Sequence, residues 1–182
     1  MLVTGGAGFI GSHTVDLLVE EGFDVVVLDD LSGCDYSVPD YLNKRVKLVV
    51  GDIRYSEVLK KVLREVDAVI HLAARIDVKE SMVKVREYCD VNALGTAKLM
   101  EEIVNVGCIN KVIIASSASV YGEGAYYCES CGLEVYPEPR SIEALKRGMW
   151  NPVCPFCNRE VYPVSIREEV PLRPASVYAA TK

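Results

Sequence analysis

From the first residue to Gly122, short apolar runs alternate with amphipathic stretches. Residues 2–4 form the first apolar run, and a glycine-rich turn follows. The next stretch places Ile10, Thr14, Leu17 and Leu18 on one helical face before Gly22 ends it. A second run, residues 25–28, delivers Asp29 at its end in the manner of a buried parallel strand. Residues 46–50, 68–71 and 111–116 continue the strand series, separated by helical stretches at 56–64 and 81–106. Strands alternating with helices predict an α/β fold built on a mostly parallel, doubly wound sheet. Beyond Gly122 the periodicity is lost. Residues 123–165 hold five prolines, four tyrosines and two CxxC pairs, which marks an inserted module, and a helix-start pattern resumes at Pro174.

Composition narrows the classes. The 182 residues are half apolar and a quarter charged, enough to bury one sizeable core and unlike a disordered chain. A net charge of −6 without a long basic run argues against nucleic acid as a partner. No apolar stretch reaches the roughly 18 residues of a membrane span and no signal-peptide layout is present, so the expected location is the cytoplasm. In that compartment seven cysteines are thiols or metal ligands rather than a disulfide framework. Cys34, Cys89 and Cys108 are scattered. Cys128, Cys131, Cys154 and Cys157 form two CxxC knuckles with twenty-two residues between them, close to the spacing of a zinc ribbon. Four thiolates fill a tetrahedral zinc site and leave no open position, so the role expected of zinc is structural; the competing reading is four free or redox-active thiols.

Residues 4–12 read TGGAGFIGS. Gly5, Gly8 and Gly11 recur at intervals of three, where a tight turn must let a pyrophosphate approach the backbone at the positive end of the following helix. Phe9 and Ile10 open that helix and join the glycines as cofactor-binding candidates. Asp29 stands eighteen positions after Gly11, near the ~20 expected of a carboxylate that takes the adenosine ribose hydroxyls. A carboxylate there repels a 2′-phosphate and no arginine follows before Arg45, so NAD is expected rather than NADP. A turn serving only packing and a solvated loop carboxylate are the readings these must beat.

At the other end, Tyr178 and Lys182 stand four apart in YAATK, on one face of a helix. An ammonium beside a phenol favours the phenolate, which suits a general acid/base at a substrate hydroxyl. The run SSASVYG at residues 116–122 ends the fifth strand, where active-site residues of open sheets gather. Together with GDIR at 51–54, HLAA at 71–74 and VNALGT at 91–96, these motifs resemble the extended short-chain dehydrogenase/reductase family, specifically its NAD-dependent nucleotide-sugar epimerases and dehydratases. The resemblance runs over residues 1–122 and 171–182 and implies a Rossmann-type fold. It further implies that Asp52 and Ile53 border the adenine and that Leu72, Ala73 and Ala74 line the cofactor channel. Asn92 would hold its helix towards the nicotinamide, unless it is simply a satisfied core amide. Ser117 would hydrogen-bond the reacting sugar oxygen, Tyr178 would be the acid/base, and Lys182 would support it and touch the nicotinamide ribose.

Members of that family share a first step, hydride transfer from carbon 4 of the sugar to NAD, and differ afterwards. In 4,6-dehydratases the counterpart of Ser117 is followed by an acidic pair, whereas this chain has Ala118 and Ser119, which cannot do the proton chemistry of elimination. A 4-epimerase acting through a transient 4-keto sugar is the reading that remains; another dehydratase or reductase, or a fragment that only binds NAD, is the alternative. Ser117 and Tyr178 lie sixty-one positions apart. The intervening segment resembles that of a bacterial subgroup described as dTDP-L-rhamnose or UDP-glucose 4-epimerases. The expected organisation is one NAD-binding domain over residues 1–182, incomplete because it ends in the catalytic helix, with the CxxC module at 123–165. The sugar-binding C-terminal domain is expected to be missing. A nucleotide-sugar is the expected substrate, and a homodimer the expected full-length assembly.

Overall fold

A computed structural model describes all residues, 1–182, which divide into two compact units. The first comprises residues 1–115 with Thr181 and Lys182, the second residues 116–180.

The first unit runs β1 (Leu2–Thr4), α1 (Phe9–Glu20), β2 (Val26–Asp29), β3 (Lys47–Val50), α2 (Ser56–Leu63), β4 (Ala68–His71), α3 (Val78–Ser81), α4 (Val85–Tyr88), α5 (Thr96–Val106) and β5 (Lys111–Ile114). Its five strands are all parallel, in the order β3-β2-β1-β4-β5. This is the doubly wound Rossmann-type sheet, and the order reverses between β1 and β4. The central strands are unbroken apolar runs because both of their faces are covered. Successive residues alternate between two cores: Leu2, Val26, Leu28 and Val69 face Leu59, Leu63, Leu99 and Ile103 of α2 and α5, whereas Val3, Val25 and Val27 face Val15 and Val19 of α1. Truncating a wholly buried Leu59 or Leu99 to alanine should cost about 2–5 kcal/mol.

Three details depart from the sequence reading. The inward face of α1 is Gly11, Val15 and Val19 with Leu18 at its flank, while Ile10 and Leu17 are exposed. A β1-to-α1 turn this tight brings Gly11, which has no side chain, against the backbone of Gly5 and Gly6, and the i+4 and i+8 positions follow it inward. The helix expected over 81–106 starts at Val85 and is widened by a π-helical turn over Cys89–Gly95 before α5 continues. Strands β3 and β5 are also shorter than the apolar runs that predicted them. Helix ends follow the expectation: Gly22, at φ +85°, donates to Val19 O at 3.2 Å and Phe23 N to Leu18 O at 2.9 Å, closing α1 with a left-handed glycine.

The second unit, most of which shows no periodicity in the sequence, is nevertheless built of regular elements. It holds a 3-10 turn (Ala118–Tyr121), β6 (Tyr126–Cys128), β7 (Leu133–Val135), α6 (Ile142–Lys146), β8 (Tyr162–Pro163) and α7 (Val177–Ala180). The strands form an antiparallel sheet in the order β7-β6-β8. Its small core is Cys128, Val135, Cys154 and Val161, with Tyr126, Cys131 and Cys157 packed around it. Alternation was hard to read because strands of two or three residues are too short to show a period.

Candidate functional site

The glycine turn sits where the strand order reverses, at the carboxyl ends of β1 and β4. Gly5 has φ +70°, and a Cβ there would lie 2.7 Å from Ala73 N, so the turn rests directly on the loop after β4. A Cβ on Gly11 would meet Gly5 O at 2.1 Å, and α1 could not then begin where it does. Gly8 caps α1 with backbone alone, and Phe9 and Ile10 follow it with their side chains exposed. Uncapped N–H groups at the positive end of a twelve-residue helix suit an anion.

Asp29, at the end of β2, accepts Ala7 N–H on Oδ2 at 2.9 Å and Leu31 N–H on Oδ1 at 2.8 Å. A carboxylate has about four lone-pair positions, so two remain open to further donors. Two residues that the motif reading missed secure the carbonyl of the same residue: Tyr41 Oη donates to Ala7 O at 2.8 Å and Cys34 Sγ does so at 3.4 Å. No local signal marks them, because the loop brings them back from outside the motif.

Asp52 is held by Arg54, whose backbone N–H donates to Oδ1 at 2.9 Å and whose Nε donates to Oδ2 at 2.9 Å. Burial opposes the charge of Asp52, but these bonds outweigh it and keep the carboxyl below its usual range. The Ile53 side chain is committed to the core and packs on Gly95, which leaves its backbone for any cofactor contact. Leu72, Ala73 and Ala74 are half-buried beside the turn, with Leu72 N donating to Thr4 O and Ala73 N to Thr4 Oγ1.

His71, quoted within a motif but given no role, is 3% exposed. Its Nδ1 lies 2.6 Å from Thr4 Oγ1 and its Nε2 2.8 Å from Thr96 Oγ1, so it ties β1 to the start of α5 beneath the glycine turn. Burial, and secondarily the charge of Lys182, push its pKa down to about 4. Lys182 is itself half-buried, and that burial lowers its pKa. Asn92, in the π-helical turn, accepts Arg75 N–H at 2.8 Å and donates to Arg75 O at 3.0 Å and Thr181 Oγ1 at 3.1 Å. It is thus a satisfied core amide, and one that clamps the loop after β4 and the residue preceding Lys182.

In the second unit Ser117 caps the Ala118–Tyr121 turn, and α7, carrying a half-buried Tyr178, packs on that turn. Ser176 Oγ caps α7 by accepting Ala179 N–H at 3.0 Å. The helix spans Val177–Ala180, shorter than the expected face shared by Tyr178 and Lys182. The turn carries Ala118 and Ser119 and no carboxylate.

The four knuckle cysteines converge, all Sγ atoms lying within 4.8 Å of one another. Cys128 and Cys157 are 3.6 Å apart and Cys131 and Cys154 3.9 Å. A tetrahedron with Zn–S bonds of ~2.3 Å has edges of about 3.8 Å, so the donor set fits that ion. The two knuckles repeat one geometry: Gly132 N donates to Cys128 O at 2.8 Å and Asn158 N to Cys154 O at 2.9 Å, and both acceptor turns end in a left-handed residue. Burial would raise the Cys154 thiol, but N–H groups of Phe156 and Cys157 aimed at its sulfur bring it down to about 7. Neighbouring thiols Cys157 and Cys128 push Cys131 up to about 12. Four sulfurs so close cannot all ionise without a cation among them.

Comparison with known proteins places this geometry. The family profile for GDP-mannose 4,6 dehydratase matches residues 2–132. UDP-glucose 4-epimerase of Neisseria meningitidis serogroup C is 40% identical over 129 residues, which are 68% of this chain and 38% of that protein. dTDP-L-rhamnose 4-epimerase of Burkholderia thailandensis is 33% identical over 188 residues, covering 100% of this chain and 50% of its own. The crystal structure of Thermus thermophilus UDP-glucose 4-epimerase in complex with NAD superposes with a TM-score of 0.69 at 31% identity, over 100% of this chain and 46% of that one. The chain therefore spans half or less of the length of these relatives. A parallel sheet with its glycine turn at the switch point, matched by both profile and structures, shows that the chain belongs to the extended short-chain dehydrogenase/reductase family of NAD-dependent nucleotide-sugar epimerases and dehydratases.

Proposed function

We propose that this chain is the NAD-binding part of a nucleotide-sugar 4-epimerase. The observation that carries the reading is the Ser117 turn: a hydroxyl at its cap, followed by Ala118 and Ser119 and no acid, on which the Tyr178 helix packs. Such a site can move one proton at a sugar oxygen but has no carboxylate pair to eliminate water. The relatives named above support the same reading; of the two that span the whole chain, one is named for dTDP-L-rhamnose and the other for UDP-glucose. Both UDP-hexoses and dTDP-L-rhamnose are therefore candidate substrates.

In this reading Gly5, Gly8, Gly11, Phe9 and Ile10 receive the pyrophosphate, and Asp29 takes the adenosine ribose on the positions left by Ala7 and Leu31. Asp52 and the Ile53 backbone border the adenine, and Leu72, Ala73 and Ala74 line the channel. Bound NAD supplies the hydride acceptor for carbon 4. Tyr178 takes the proton of the 4-hydroxyl and returns it, Lys182 stabilises the phenolate, Ser117 holds the same oxygen, and Asn92 keeps Lys182 in place through Thr181. A 4-keto sugar that turns over before the hydride returns gives the epimer.

Cys128, Cys131, Cys154 and Cys157 would hold one zinc ion that orders the second unit and takes no part in the chemistry, since four thiolates close the site. The test is an assay of the full-length protein against UDP-, dTDP- and GDP-hexoses, with zinc measured on the same preparation. Interconversion of a 4-epimer pair and one zinc per chain are expected; release of water to a stable 4-keto-6-deoxy sugar would refute the epimerase reading, and metal-free protein the zinc site.

A further inference from the structure

Ser117 does not stand alone on its turn. Its Oγ lies 2.7 Å from Ser119 Oγ and also accepts the backbone N–H of Ser119 at 3.2 Å. A serine hydroxyl has one proton to give and two acceptor positions. One acceptor position of Ser117 is taken by the Ser119 N–H. If the Ser119 hydroxyl donates as well, both are filled, and the only hydrogen-bonding position Ser117 still presents is its own proton. The opposite orientation would use that proton within the turn and leave Ser117 with a single lone pair.

The reaction proposed above decides between the two. Once carbon 4 is oxidised its oxygen carries no proton, so the group that holds it through the turnover of the keto sugar must be a donor. We propose that Ser119 is a positioning residue for this chemistry: its hydroxyl, bonded to that of Ser117, fixes Ser117 as a donor towards the sugar oxygen. Ser119 thereby gains a function at the position where a dehydratase would need an acid. The geometry is local to the turn, since the Ser117 cap and the 3-10 hydrogen bond from Val120 N to Ser117 O at 3.2 Å set the separation of the two hydroxyls. The inference rests on the reading that Ser117 meets the substrate oxygen.

The test uses the full-length protein and whichever of UDP-glucose, UDP-galactose and dTDP-L-rhamnose the parent turns over fastest. Ser119→Ala should lower kcat about tenfold, the scale of one oriented hydrogen bond, with KM and the thermal midpoint nearly unchanged. Ser119→Thr, which keeps the hydroxyl, should recover most of that loss. Ser117→Ala should fall about a hundredfold, and the double variant should be no worse than Ser117→Ala, because Ser119 acts only through Ser117. Full kcat in Ser119→Ala, or losses that multiply in the double variant, would overturn the inference. An unimpaired Ser117→Ala, or a parent inert towards all three sugars, would overturn instead the reading beneath it.

Discussion

Lowering the pH forces a proton onto a histidine that the fold holds neutral. His71 is buried between Thr4 and Thr96, with its pKa near 4 against an ordinary value of 6.5. Between those two values the unfolded chain binds a proton that the native chain does not, so stability is fully present above pH 6.5 and is lost as the pH falls towards 4. A 2.5-unit depression corresponds to about 3 kcal/mol in total, of which about 2 kcal/mol should be lost by pH 5. That is a large share of the 5–15 kcal/mol typical of a domain. The measurement is urea unfolding followed by far-UV circular dichroism from pH 7.5 to 5, on the parent and on His71→Gln. Glutamine should cost about 1–3 kcal/mol at pH 7.5 through its imperfect bonds, yet show none of the histidine-linked slope, so the two curves should converge on acidification. Carboxylates contribute alike to both and cancel in the difference. Parallel curves between pH 6.5 and 5 would show that His71 is not held neutral.

Four further outcomes are expected. NAD should bind at least about tenfold more tightly than NADP, and Asp29→Asn should narrow that gap; calorimetry showing equal affinities in the parent would remove Asp29 from the ribose site. Tyr178→Phe should abolish hydride exchange at carbon 4 while NAD still binds, and undiminished turnover would exclude the phenol from the mechanism. Cys154→Ser should lower the zinc content and speed amide hydrogen exchange over residues 123–165 while sparing β1 to β5; uniform exchange changes would argue that the two units are not separately stabilised. Gly11→Ala should destabilise the first unit by several kcal/mol, because its Cβ would sit 2.1 Å from Gly5 O, and a circular dichroism melt within a degree of the parent would contradict the close turn.

The parts legible in the sequence were those whose physics is local. Central strands declared themselves as apolar runs because both of their faces are buried, and Gly22 ended α1 because a left-handed residue was needed there. The cysteine cluster was legible from its paired CxxC spacing, which fixes two sulfurs in each knuckle, although the small sheet and core that bring the two knuckles together were not. What escaped depended on partners distant along the chain. His71 gained its place from Thr4 and Thr96, and Tyr41 from Ala7, none of which lies within its own element. The inward face of α1 was misjudged because Gly11 carries no apolar side chain to register as core, though its lack of one is the reason the helix can lie against the turn. The π-helical turn escaped because its run of weak helix formers, Cys89 to Asn92 and then Gly95, reads as a poor stretch of ordinary helix and carries no periodicity of its own.

The pairing of β6 with β8 has a consequence for how such a protein can be altered. Tyr126 stands opposite Pro163, and Val164 N donates to Ala125 O at 3.0 Å, so the two ends of the intervening segment are already side by side. Antiparallel neighbours are only about 5 Å apart, a gap that a tight turn bridges with little loop-closure entropy. Residues 126–163, with all four clustered cysteines, are therefore a cassette joined to the flanking chain through one closely spaced pair of ends; a deletion or a transplant made there must also provide for the flanking side chains that reach into it, Glu123, Arg167 and Arg173.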